Sequence, residues 1–200
     1  GAKAQETRYL DMIFDSYEMT PDVPIGFYVD PLRSNFANMA QFSADMAAVN
    51  ALMADGEPVP MNYFASNSDL PPEQQTTLKL YPMDIDVYTP PASDTQTDRP
   101  VIVYLHTGNF LPQVINGSPM GSKRDSAVVN HCKQWAKRGY VAIALNYRMG
   151  WNPISEDPDV RRGTLLQAVY RAIHDTQTAV RFMRSTIAQG NPYGIDNDKF

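Results

Sequence analysis

The second half of the chain alternates unbroken apolar runs with stripes at helical spacing. Residues 101–105, Val-Ile-Val-Tyr-Leu, form a β-branched and apolar run of the kind a strand covered on both faces requires. Val128, Cys132 and Trp135 then recur at i, i+4 and i+7. With Ser122 as a cap, Lys137-Arg138 in the last turn and Gly139 as the stop, they predict a helix over 122–138. Residues 140–145, Tyr-Val-Ala-Ile-Ala-Leu, make a second buried strand. Strand, helix and strand compose a βαβ unit, whose crossover is right-handed and whose strands are parallel. Leu165, Val169, Ala172, Thr176, Ala179, Met183 and Ile187 fall on one stripe and predict a longer helix over about 163–189, with Arg161, Arg171, Arg181 and Arg184 mostly off it. Gly190-Asn191-Pro192 ends that helix, and the chain turns back toward a strand near Lys199-Phe200. The order β-α-β-α-β is that of an open, doubly wound sheet, in which ligands bind beyond the carboxyl ends of the strands.

The first 96 residues follow another pattern. Residues 78–88 alternate apolar and polar side chains toward their end and predict an antiparallel edge strand broken at Pro82. Residues 13–19 and 25–29 predict an earlier strand or hairpin. Between these segments, Met39, Phe42, Met46, Val49, Leu52 and Met53 stand at helical spacing. Such a Met-rich stripe is either core or an adaptable flap over a site. The chain contains no internal repeat and no low-complexity tract.

Composition narrows the function classes. The 200 residues are 43% hydrophobic with a net charge of −5, and the 17 Lys and Arg are scattered. A nucleic-acid binder shows a concentrated basic face instead. No apolar run approaches the roughly 20 residues that span a bilayer. The single cysteine, Cys132, excludes an internal disulfide and a multi-cysteine zinc site. His106, His131 and His174 lack metal-binding spacing. Near the start, Ala2-Lys3-Ala4 has the form of a signal-peptidase site, which predicts a secreted or periplasmic protein; the alternative is an ordinary Ala-rich terminus.

Candidate chemistry lies at the carboxyl end of the first buried strand, in His106-Thr107-Gly108-Asn109-Phe110. A glycine turn there can aim successive backbone N–H groups into the crevice, and one such donor on a developing oxyanion is worth about 10²–10³ in rate. The plain alternative is a tight strand-to-helix turn. Asn116-Gly117-Ser118 matches a glycosylation sequon and equally a simple Asn-Gly turn. Residues 117–123 fail the spacing of a Walker loop, and no G-x-G-x-x-G follows a strand.

Residues 77–200 resemble the amino-terminal half of the α/β-hydrolase fold, in the carboxylesterase/lipase group. The resemblance is carried by Asp86-Val87-Tyr88-Thr89-Pro90, by residues 100–110, by Gly139-Tyr140 through Asn146-Tyr147-Arg148, by residues 168–184 and by Tyr193-Gly194-Ile195-Asp196. It implies an α/β fold with a mostly parallel sheet, flanking helices and antiparallel amino-terminal strands. Residues 1–76 would then hold those strands and a helical insert, and 77–200 the first part of the hydrolase core. The insert, around residues 30–75, would cover the active-site mouth or form a subunit contact, as in a homodimer. The implied activity is serine-dependent hydrolysis of a small-molecule carboxylic ester, with no metal and no organic cofactor.

By the same resemblance the backbone N–H groups of Gly108 and Asn109 form the oxyanion hole, with Phe110 and Thr107 against the substrate. Arg148 and Asp175 form a buried pair tying a strand end to the long helix. Thr107 stands where the family has a glycine. A β-branched residue resists φ > 0, so an altered loop is expected. The family's nucleophile sits in a Gly-x-Ser-x-Gly elbow, which these residues lack; Gly117-Ser118-Pro119-Met120-Gly121 has the wrong spacing. Nucleophile, acid and catalytic histidine are therefore expected beyond residue 200, and the three histidines present are expected to be structural. The reading from another class is a non-catalytic protein, or a fragment, that keeps the fold for binding.

Overall fold

The computed structural model describes residues 7–30, 33–111 and 113–200; Ala2-Lys3-Ala4 lies outside them. Its elements are β1 (Glu18–Val29), α1 (Met39–Ala54), β2 (Leu80–Thr89), β3 (Val101–Leu105), α2 (Gln113–Asn116), α3 (Ser126–Lys137), β4 (Val141–Leu145) and α4 (Pro158–Ala188), with short 3-10 turns between α1 and β2. Two compact units emerge, one formed by Gly26–Met83 and the other by the rest of the described chain.

The four strands lie in the order β1-β2-β4-β3. β3 and β4 pair in parallel from Val101↔Val141 to Leu105↔Leu145, joined by α3 as the βαβ reading requires. β4 is buried throughout because alternate side chains feed two cores. Val141, Ile143 and Leu145 pack with Ile85, Val87 and the Ala172, Ala179 and Met183 face of α4. Ala142 and Ala144 pack with Tyr88 and the Val128, Cys132 and Ala136 face of α3. Helices thus cover both faces of this sheet.

The sheet itself corrects an expectation. It is mixed and mostly antiparallel, not mostly parallel. Parallel neighbours need a crossover, and among the described strands only β3-α3-β4 supplies one. β2 instead runs antiparallel to β4, from Ile85↔Leu145 to Tyr88↔Ala142. Nor is β2 an edge strand, since β1 lies on its other side. Pro82 is accommodated because the pairing with β4 begins only at Ile85. Of the strand or hairpin expected from residues 13–19 and 25–29, the structure has the single strand, over Glu18–Val29.

The helices α3 and α4 start elsewhere than their apolar stripes suggest. The cap of α3 is Asp125, not Ser122, and its carboxylate accepts from the N–H groups of Gly121 (2.8 Å) and Ser122 (3.1 Å), holding those residues in a turn. α4 begins at Pro158, behind an Asp157 cap that accepts from Asp159 N–H. This pair of start signals extends the helix upstream of its apolar stripe. Beyond α4, Ile195 bridges Arg99 in parallel and Val101 N–H donates to Lys199 O at 2.8 Å, so the chain does return beside the start of β3.

In the smaller unit, Phe42, Met46 and Val49 of α1 pack with Tyr63, Leu78 and Leu80, so the helical stripe is partly core. Met39 and Met53 stay exposed. Asp45 of α1 accepts from Thr77 N, Thr77 Oγ1 and Leu78 N, pinning the helix to the approach to β2. No helix among the described residues is long and apolar enough to cross a membrane.

Candidate functional site

Because β3 and β4 are parallel and β2 opposes them, the loops after β3 and β4 and the start of β2 gather at one end of the sheet. The loop after β3 takes an unusual path. Positive φ falls on three successive residues, Gly108 (+123°), Asn109 (+56°) and Phe110 (+57°), and not on Thr107. Thr107 therefore escapes the φ > 0 that a β-branched residue resists, because the left-handed conformations begin one residue later. Gly108 is required on two counts: its φ, and a Cβ there would lie 3.0 Å from Gly121 Cα.

The protein holds this loop by its carbonyls. His106 O accepts from Tyr147 Oη at 2.8 Å and Thr107 O from His106 Nδ1 at 2.7 Å. Gly108 O accepts from Leu111 N–H at 2.9 Å. Asn109 O accepts from Trp151 Nε1 at 2.8 Å, and Phe110 O from Gly150 N–H at 2.7 Å. In a trans peptide the C=O and the following N–H point in opposite directions. Tying the carbonyls of 107, 108 and 109 to the protein therefore turns the N–H groups of Gly108, Asn109 and Phe110 away from those clamps. None of the three finds an acceptor among the described residues. The Gly108 and Asn109 donors coincide with the expected pair; the third, on Phe110, was not foreseen.

The side chains around the donors differ in exposure. Thr107 is exposed, with Oγ1 3.4 Å from Met120 Sδ. The half-buried Phe110 ring leans on Tyr147, with centroids 5.8 Å apart. His106 is only 2% exposed and stacks on Tyr147 at 4.4 Å. Burial lowers its pKa from 6.5, which favours the neutral ring. Since a carbonyl can only accept, its proton sits on Nδ1, and the buried Nε2 has no partner among the described residues. His131 stacks against Tyr104 and Trp135, while His174 is exposed beside Tyr170.

The expected Arg148–Asp175 pair is present. Asp175, 1% exposed on α4, receives the Arg148 backbone N–H at 2.7 Å and its guanidinium NH2 group at 2.7 Å. This fixes the segment after β4 that supplies Tyr147, Gly150 and Trp151 to the donor loop.

A second buried charge cluster, unsignalled in the sequence, lies at the same end of the sheet. Lys123 Nζ is in ion-pair contact with Asp22 (2.7 Å), Asp84 (2.5 Å) and Asp86 (2.7 Å), and Lys123 N–H donates to Asn146 Oδ1 at 2.8 Å. Burial pulls the lysine pKa down, but hydrogen bonds to the three carboxylates outweigh it and raise the value. The aspartates come from strands more than thirty residues upstream of the lysine, so no local motif marks them. Among the described residues no cluster of His, Cys, Asp and Glu is arranged to hold a metal ion. The chain matches no protein-family model and no curated protein.

Proposed function

We propose that this chain carries the oxyanion-stabilising part of a serine hydrolase acting on carboxylic esters, with the serine, its histidine and its acid supplied from beyond residue 200. One observation supports the reading: the carbonyls of Thr107, Gly108 and Asn109 are tied to the protein, leaving successive N–H donors without an acceptor among the described residues at the end of β3. The ester carbonyl oxygen would sit on the Gly108 and Asn109 N–H groups, beside Thr107 and Phe110. As the serine Oγ bonds to the carbonyl carbon, its proton passes to the histidine and negative charge builds on that oxygen. The ester C–O bond then breaks and the proton leaves with the alcohol; water releases the acid by the same steps. Donors already in place stabilise this charge without reorganising. Neither a metal nor an organic cofactor takes part. Export, suggested by Ala2-Lys3-Ala4, belongs to the same reading.

The test is the intact mass of the full-length protein before and after a fluorophosphonate, together with hydrolysis of p-nitrophenyl acetate. A single adduct on a serine, with loss of turnover, is the expected result. Absence of both adduct and turnover overturns it and favours a binding protein that keeps the donor loop for a carbonyl or carboxylate ligand. That second reading draws on the absence of Gly-x-Ser-x-Gly from the 200 residues.

A further inference from the structure

We propose that Asn116 is a positioning residue for the donor loop, its side-chain amide holding the arm that presents the N–H groups against the arm that returns to α3. The inference rests on the ester-hydrolase reading for its catalytic consequence, though not for its geometry. Asn116 Nδ2 donates to Met120 O at 2.8 Å and Leu111 O at 3.0 Å, with Gly108 O at 3.4 Å, while its Oδ1 accepts from Ser118 N–H at 2.7 Å. An amide nitrogen has two hydrogens; the two shorter contacts take one each, and Gly108 O shares.

Leu111 and Gly108 are the two ends of the turn closed by Leu111 N–H to Gly108 O, so one side chain reaches both ends of it. It also reaches the second arm at Met120, next to Gly121, the residue against which Gly108 packs. Asp125 holds that second arm in turn through Gly121 and Ser122 N–H. The direction of Gly108 O sets that of the Asn109 N–H, because they belong to one planar peptide. Asn116 thereby acts on a donor without touching substrate. This also bears on the sequon: the nitrogen that a glycan would occupy is committed to the carbonyls of Met120, Leu111 and Gly108.

The test uses Asn116→Asp, which keeps the acceptor for Ser118 N–H and removes both donors. On the ester substrate, kcat should fall about 10²-fold with KM nearly unchanged, the size that a misplacement of about 1 Å costs. The Trp151 indole N–H, bonded to Asn109 O, reports the loop without activity. Its NMR resonance should shift and its hydrogen exchange should quicken. Unchanged kcat and an unchanged Trp151 resonance in Asn116→Asp overturn the proposal, as does a glycan on Asn116 of the folded protein from a glycosylating host. Should Asn116→Asp fail to fold, wild-type exchange decides: slowly exchanging Asn116 side-chain amide protons support the clamp, and exchange at the solvent rate overturns it. If the wild type shows neither adduct nor turnover, the ester reading fails alone, and the Trp151 and exchange readouts still decide the clamp.

Discussion

Two regions at the same end of the sheet hold their chains in place by opposite means. The donor loop, residues 106–111, is fixed by neutral groups: an indole, a phenol, an amide and backbone N–H, all donating to carbonyls. The neighbouring Lys123 cluster is fixed by charge, with one ammonium among three carboxylates and Arg124 beside Asp22. Neutral clamps use up the loop's acceptors and leave the N–H groups of Gly108, Asn109 and Phe110 without an acceptor among the described residues. The charged cluster balances one ammonium against three carboxylates and anchors the residue just before α3 to β1, β2 and the end of β4. Similar positions in a fold can thus serve binding in one case and stability in the other, depending on which partners a group has already taken.

The largest test of that contrast is Lys123→Met. It leaves Asp86, which is fully buried, facing two other carboxylates without the ammonium. Breaking a buried ion pair from one side typically costs about 3–5 kcal/mol, and urea denaturation should show a loss of that size. A loss below about 1 kcal/mol, the value of an exposed pair, would dissolve the distinction. Gly108→Ala should cost less in stability and more in function. A strained backbone conformation is worth about 1–3 kcal/mol, while a displaced oxyanion donor costs about 10²–10³ in kcat. Urea denaturation beside ester kinetics separates the two effects.

The smallest effects concern pH, and there the regions should fail at opposite ends of the scale. His106 has a folded pKa below its ordinary 6.5, so between those two values the unfolded chain binds more protons. Its contribution is present above pH 6.5 and is lost as pH falls through the folded value; His106→Gln should remove that acid slope. Lys123 has a folded pKa above 10.5, so its contribution is complete below pH 10.5 and is lost as pH rises through the folded value. Asp22 adds an acid loss of its own, below its ordinary 3.8, because the bond to Lys123 lowers its pKa. Denaturation midpoints across pH, with and without His106→Gln, read both slopes.

Much of the central layer was legible because its signals are local. The unbroken runs at 101–105 and 141–145 call for cover on both faces; β4 receives it from α3 and α4, whereas in β3 only Val101 is buried and Leu105 is 40% exposed. A glycine at 108 marks a turn that only glycine enters easily, and the turn is there. The strand order was less legible, since neighbours in a sheet are chosen by pairing between distant segments; β2 next to β4 is such a case. The candidate site divides in the same way. Gly108 marked a turn by residue type and the Gly108–Asn109 pair was singled out only by resemblance, whereas Asn116 read equally well as a turn or a glycan acceptor, and its contacts emerge only from the three carbonyls around it.

By itself, then, the sequence determined the strand–helix alternation, the two-sided burial of β4 and the place of the turn after β3. These follow from side-chain periodicity and from the steric freedom of one glycine. Tertiary structure alone decided that the sheet is mostly antiparallel, that Lys123 is matched by aspartates from β1 and β2, and that the loop's carbonyls accept from Tyr147, Gly150 and Trp151. Each of those depends on which remote groups come within hydrogen-bonding or ion-pairing distance, and contacts of a few ångströms between distant segments leave no periodic trace along the chain.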